Sequence, residues 1–290
     1  MQSTRTGLAD LASYQATLTL SFDGTKSGQS SKWSRTYVMQ ATKDPATRQL
    51  TIVTTGDASD PDPVYRAETG GVSYEQLGQG PCTADLIAAG ESLAERFEPA
   101  GFLTGITGAD VAGKEAVNGT PAANYTFDEH ALGQSGPAKS TGKLWVAATG
   151  GYILRYQLST RAGPDYFGEG VDGTLTWDYE LGGSNQPVAL KVPDGCPPGL
   201  VNAPQLPDAS NVVSLPAVLS YDTAKSPADV MAFYQKELPK LGWTAGDEPT
   251  VTDATAVVEL SQGATTMSVT AIIDGGVTTV EVSIGPADTP

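Results

Sequence analysis

From residue 14 to residue 22 the chain alternates: Tyr14, Ala16, Leu18, Leu20 and Phe22 fall on one parity, Gln15, Thr17, Thr19 and Ser21 on the other. A period of two sends successive side chains to opposite faces, so this stretch predicts a half-buried strand. Asp23-Gly24 opens a polar loop. Trp33, Arg35, Tyr37 and Met39 then share a face of a second strand, and Leu50 and Ile52 a face of a third. Three antiparallel strands follow. Gly70-Gly71 divides 64–77 into a further hairpin with Tyr65, Val72 and Tyr74 apolar. From 83 to 106 the period lengthens: Leu86, Ile87, Leu93 and Phe97 fit a helix to about Glu98, started by Thr83 with Asp85 nearby and broken at Pro99, and Phe102, Leu103 and Ile106 fit a short turn after it.

The segment GKEAVNGTPAANYTF, 113–127, predicts two short strands about an Asn118-Gly119 turn, because this dipeptide tolerates positive φ at both central positions. Beyond it, Tyr152, Leu154, Tyr156 and Leu158 alternate after Gly150-Gly151, and Leu175, Trp177, Tyr179 and Leu181 continue the pattern after Asp172-Gly173. More than seven strands suit a strongly curved sheet.

The 113–127 hairpin, the upstream patterns SYQATLTLSFDG, KWSRTYVMQA and RQLTIVTT, and the downstream patterns GKLWVAATGGYILRYQLS and DGTLTWDYELGGSNQPVALKVPDGC resemble, in that order, the LolA-like and LppX/LprG-like bacterial lipoprotein carriers. The resemblance covers about 8–196. It implies a curved antiparallel half-barrel whose concave face holds acyl chains; the apolar stripe of the helix that ends near Glu98 is expected to cover the mouth of that sheet as a lid. The expected apolar cavity is lined by Leu18, Leu20, Phe22, Tyr37, Met39, Leu93, Phe97, Leu103, Tyr156 and Trp177. Periodicity alone reads the same residues as a filled core.

Between 192 and 207 the sequence becomes PDGCPPGLVNAPQLP, too rich in proline and glycine for a regular element. The expected layout is a half-barrel domain over 1–198, a linker at 199–206 and a second domain over 207–290. In the last, 212–221 predicts a strand. Ser226-Pro227-Ala228-Asp229 starts a helix bearing Val230, Phe233, Tyr234, Leu238 and Leu241, with Pro239 placed to kink its last turn and Gly242 to stop it. Strands at 243–244, 256–261, 266–273 and 278–284 complete a small β-α-β-β-β module, and the fold class is α+β. The stretch SPADVMAFYQKELPKLGW resembles the appended domain of some extracytoplasmic lipoproteins.

A formal charge of -16 makes nucleic acid and anionic membrane surfaces poor partners. No run of eighteen apolar residues occurs that would span a bilayer. The opening MQSTRTG lacks the apolar core of a secretion signal, and Met1 is read as standing in place of a removed leader; an acylated N-terminal anchor is expected only as part of the carrier reading that the resemblance implies. Cys82 and Cys196 both sit in Pro/Gly-rich turns, which suits either a disulfide closing a long loop or two unpaired thiols; a bridge is the expectation, and with it an oxidising compartment.

Catalytic patterns are weak. GADVAGK at 108–114 spells the opening of a phosphate-binding loop, but Glu115 follows where Ser or Thr must hold magnesium, and the segment runs into a strand. His130 is the single histidine, and no G-x-S-x-G occurs, which argues against His-rich metal sites and a serine triad. Asp57, Asp60 and Asp62 lack EF-hand spacing, and the sequons at Asn118 and Asn124 are accounted for by a turn and a strand. The reading is a non-enzymatic extracytoplasmic carrier or binding protein for a lipid or other apolar molecule, without cofactor or metal. The alternative is a cell-envelope interaction module whose half-barrel is filled.

Overall fold

The computed structural model describes residues 8, 10–58, 63–87, 106–133, 138–188, 190–246 and 248–286. Its first sheet is eleven-stranded and antiparallel throughout the pairs described. In chain order the strands are β1 (Ser13–Lys26), β2 (Gln29–Lys43), β3 (Ala46–Gly56), β4 (Val64–Thr69), β5 (Val72–Leu77), β6 (Cys82–Leu86), β7 (Asp110–Val117), β8 (Thr120–Asp128), β9 (Lys139–Ala147), β10 (Ile153–Ala162) and β11 (Val171–Gly182). The spatial order is β6-β5-β4-β3-β2-β1-β11-β10-β9-β8-β7, two meanders joined where the first strand pairs with the last. The turns at Gly70-Gly71 and Asn118-Gly119 fall at the anticipated signals, but Asp23-Gly24, expected to open a loop, lies inside β1, which pairs on to Lys26 and turns at Ser27-Gly28. Asn118 and Gly119 take φ of 49° and 80° between Val117 and its partner Thr120, the mirror-image turn that matches strand twist.

One expectation is corrected at 82–87. Thr83 and Asp85, read as the start of a helix, lie in β6, and Ile87 closes the strand by donating its N–H to the Gly71 carbonyl at 3.0 Å. Cys82 is covalently held, and pairing beside β5 satisfies backbone groups that a helix start would leave open. The rest of the expected helix, with Leu93, Phe97 and Leu103, lies outside the described residues, as do Asp60 and Asp62.

The chain divides into two compact units, one of residues 1–69, 74–81 and 88–193 and one of 70–73, 82–87 and 194–290. The second is built on a seven-stranded antiparallel sheet of β12 (Ser210–Leu215), β13 (Val218–Thr223), β14 (Thr244–Ala245), β15 (Thr250–Val251), β16 (Thr255–Gln262), β17 (Thr265–Asp274) and β18 (Val277–Pro286). The stretch 212–221, expected as one strand, is instead part of a hairpin: Pro216 fixes the turn, and Ala217 adopts φ of 66° between Leu215 and its partner Val218. Helix α2 (Pro227–Glu237) follows α1 (Pro164–Phe167), a single turn between β10 and β11. The Ser226 hydroxyl caps α2 by accepting from the Asp229 N–H at 3.2 Å, the helix tightens to a 3-10 turn over Leu238–Leu241 where Pro239 removes a donor, and Gly242 ends it with φ of 87°. Val230, Met231 and Tyr234 bury one face of α2 against Val258, Met267, Val269 and Val282. Val201 and Leu206, inside the proline-rich stretch expected as a linker, are buried in this same core.

The disulfide is formed between Cys82 and Cys196, with Cα atoms 4.7 Å apart, and no cysteine is free.

Candidate ligand-binding face

Residues directly opposite one another in a ladder share a face, so the register of the first sheet can be followed from strand to strand. Leu18 on β1 faces Tyr37 on β2, and Tyr37 faces Ile52 on β3. In the other direction Leu18 faces Tyr179, Tyr179 faces Tyr156, Tyr156 faces Leu144 and Leu144 faces Tyr125. A parallel row runs Arg35, Leu20, Trp177, Leu158, Gly142, Phe127. Phe22 lies between Trp33 and Leu175, and Met39 between Ala16 and Leu50. The expected site residues Leu18, Leu20, Phe22, Tyr37, Met39, Tyr156 and Trp177 therefore occupy one continuous apolar face. The opposite face carries Thr17, Thr19, Ser21 and Thr36, with the Thr19 and Thr36 hydroxyls 3.3 Å apart.

Burial along the apolar face is uneven. Leu18, Met39 and Tyr156 are buried and belong to the core of this sheet, while Leu20, Tyr37 and Trp177 are half-buried and pack against it. At one end Phe22 stacks on Trp33 at 6.0 Å and meets Phe167 of α1 edge-on at 5.7 Å. Farther along, the ring of Phe127 lies over Gly142 and 5.5 Å from Tyr156. Glycine is required at 142, because any Cβ there would enter the Phe127 ring.

Polar groups on the apolar face are few. Arg35 donates from Nε to the Thr54 hydroxyl at 3.2 Å, and Ser140 and Thr160 share a buried hydroxyl contact of 2.9 Å. Burial drives the Tyr156 phenol above its ordinary range and Tyr179 well above it, so both stay un-ionised at neutral pH. Tyr179 is absent from the residues selected on the sequence, as are Leu158, Leu144 and Phe127. Tyr179 and Leu158 share parity with the selected Trp177 and Tyr156, so alternation carries a signal for them; Phe127 and Leu144 are brought in only by the pairing of β8 with β9.

On the reverse face a cavity of about 560 Å³ lies among β3, β4 and residues 185–192. Its hydroxyls are spent on the chain itself: Ser13 bonds the Gln186 carbonyl at 2.5 Å and Tyr65 the Lys191 carbonyl at 3.1 Å. Elsewhere on that face Trp145 and Asn124 both donate to Glu115, lowering its pKa, and Arg155 pairs with Glu180 at 2.8 Å. Asn118 also donates to Glu180, at 2.8 Å.

The catalytic patterns disperse. GADVAGK enters strand β7 and opens no helix, His130 is exposed in the turn after β8, and the Asp57 carboxylate accepts from the Lys32 backbone at 2.8 Å. Among the described residues no three His, Cys, Asp or Glu side chains gather as a metal would need, and no helix is long and apolar enough to cross a membrane.

Residues 207–286 match a family model described as START domain-like. No curated protein matches the chain. Among solved structures it is similar to LprF from Mycobacterium bovis, at 14% identity over 67% of this chain and 93% of that one, with a TM-score of 0.34. It is also similar to a DUF1329 family protein from Desulfovibrio piger, at 10% identity over 65% of this chain and 92% of that one, with a TM-score of 0.24. At these TM-scores neither likeness places a residue or assigns an activity.

Proposed function

We propose that the chain is an extracytoplasmic carrier or binding protein for a lipid or another apolar molecule, which it seats on the apolar face of the first sheet without altering it chemically. The observation that carries this reading is the register, which supports a single broad surface of Leu18, Leu20, Phe22, Tyr37, Met39, Tyr156 and Trp177. Such a surface suits a ligand held by desolvation, in which each buried CH₂ contributes about 0.8 kcal/mol. In this reading the sheet curves into a half-barrel, and Leu93, Phe97 and Leu103 contribute a helical lid to it. The disulfide supports an oxidising compartment, and tethering by an acylated N-terminus belongs to the same proposal.

The test is binding of a fluorescent fatty acid by the full chain and by Tyr37→Lys and Phe97→Asp variants whose circular dichroism matches wild type. Binding by wild type with loss in both variants is expected. Failure of wild type to bind any lipid class offered, or equal binding by all three proteins, sinks the carrier reading.

One observation favours a second reading, a cell-envelope interaction module with a filled sheet. Leu18, Met39 and Tyr156 are only 0%, 3% and 4% exposed, so these side chains already have neighbours. Native mass spectrometry separates the two: a retained or reloadable lipid belongs to the carrier alone.

A further inference from the structure

One deeply buried polar atom on the apolar face has no hydrogen-bond partner. Tyr179 is 1% exposed, and its hydroxyl is both shielded from water and without a hydrogen-bond partner. Buried hydroxyls in folded proteins are nearly always paired, and an unpaired one is a net cost to folding. Phenylalanine would supply the same ring without that cost. Tyr179 stands at the middle of the face, opposite Leu18 on one side and Tyr156 on the other, with Trp177 and Leu181 two residues away along its own strand.

We infer that Tyr179 is the polar anchor of this face, and that its ligand is a long-chain lipid bearing an uncharged oxygen, an ester carbonyl or a hydroxyl, seated against the Tyr179 hydroxyl. This inference rests on the carrier reading above. The surroundings select against charge: the neighbours of Tyr179 in the ladders and along β11 are Leu18, Tyr156, Trp177 and Leu181, none of them a cation. A carboxylate brought here would lose its hydration and gain one neutral hydrogen bond, which does not compensate it. A neutral carbonyl loses far less and meets a phenol that burial keeps protonated. A pure hydrocarbon gains the apolar contacts but leaves the hydroxyl unpaired.

The experiment is displacement of a bound fluorescent fatty acid from the full chain by 1-monooleoylglycerol, by oleate and by 1-octadecene, with wild type and the Tyr179→Phe variant side by side. Wild type should favour monooleoylglycerol over octadecene by about three- to tenfold more than the variant does, the range one hydrogen bond supplies. Oleate should be the weaker competitor against monooleoylglycerol for wild type at neutral pH. Apo Tyr179→Phe should melt at or above the wild-type temperature, which shows the variant to be folded and the native hydroxyl to be unpaired. If wild type binds these probes but Tyr179→Phe keeps the full preference for the ester, or if oleate competes as well as the ester, the anchor is overturned while the carrier reading stands. A lower melting temperature for apo Tyr179→Phe also overturns it, because the hydroxyl then has a partner within the protein. If wild type binds no probe at all, the carrier reading fails and this inference with it.

Discussion

Gly142 and Phe127 offer a direct energetic test of how the apolar face is packed. A Cβ added at 142 would overlap Phe127 Cζ and Cε2 and lie 2.7 Å from Cε1. The ring has little room to retreat, since Phe127 is 7% exposed and packs 5.5 Å from Tyr156. Overpacking of this kind costs about 1–3 kcal/mol. Where nothing obstructs the new methyl, alanine in place of glycine within a strand gains about 0.5–1 kcal/mol. Gly142→Ala should therefore destabilise the wild-type chain by about 1–3 kcal/mol and be neutral or slightly stabilising in a Phe127→Leu background, where the obstructing ring edge is gone. The cycle should close with a coupling of about 2 kcal/mol in favour of the double variant. Urea unfolding read by tryptophan fluorescence is suited to the measurement, because Trp33, Trp145 and Trp177 all lie in the same sheet. Equal cost of Gly142→Ala in both backgrounds, within about 0.5 kcal/mol, would refute the seating of Phe127 over the glycine.

Alkylating the unfolded, unreduced chain should label no thiol, and reduction should cost on the order of 4–5 kcal/mol in the chain-entropy account of a bond between residues 114 apart; two labelled thiols per chain before reduction would contradict the Cys82–Cys196 bond. Glu129 accepts from Lys139 and from the Ser140 backbone, which holds its carboxyl at about 2 against an ordinary 4.5. A depressed acid contributes stability that is present above pH 4.5 and lost as pH falls toward 2, so wild type should lose more melting temperature across that window than Glu129→Gln; equal losses would remove Glu129 from the account.

Strand alternation and turn chemistry carry most of the first sheet. The parity of Leu18, Leu20 and Phe22 places them on one face in the sequence as in the structure, and Asn118-Gly119 turns where its conformational tolerance says it should. Legibility fails where a pairing partner is remote. The run from Thr83 through Leu86 reads as a helix start by local composition, yet it becomes a strand because it finds an edge beside β5. At Pro216-Ala217 the proline is a strand breaker that the strand reading of 212–221 passes over, while alanine adds no signal for the positive φ it adopts between the paired strands. The proline-rich stretch before 207 shows a different limit. Composition reports the want of regular backbone but is silent on burial, and Val201 and Leu206 are packed in a core. The Tyr179 hydroxyl is the least legible feature, since pairing of a side chain is a property of its surroundings rather than of its place in a pattern.

The spacing of the two cysteines bears on how the protein is made. Cys82 is synthesised 114 residues ahead of Cys196, so β7 to β11 all emerge while its thiol waits. With only these two cysteines in the chain, one intramolecular connectivity exists, and no shuffling among alternatives is needed to reach it. The hazard before Cys196 is made is instead a bond between the waiting Cys82 thiols of two nascent molecules. An oxidising compartment that acts too early would yield covalent dimers, whereas one that acts after release yields the native bond.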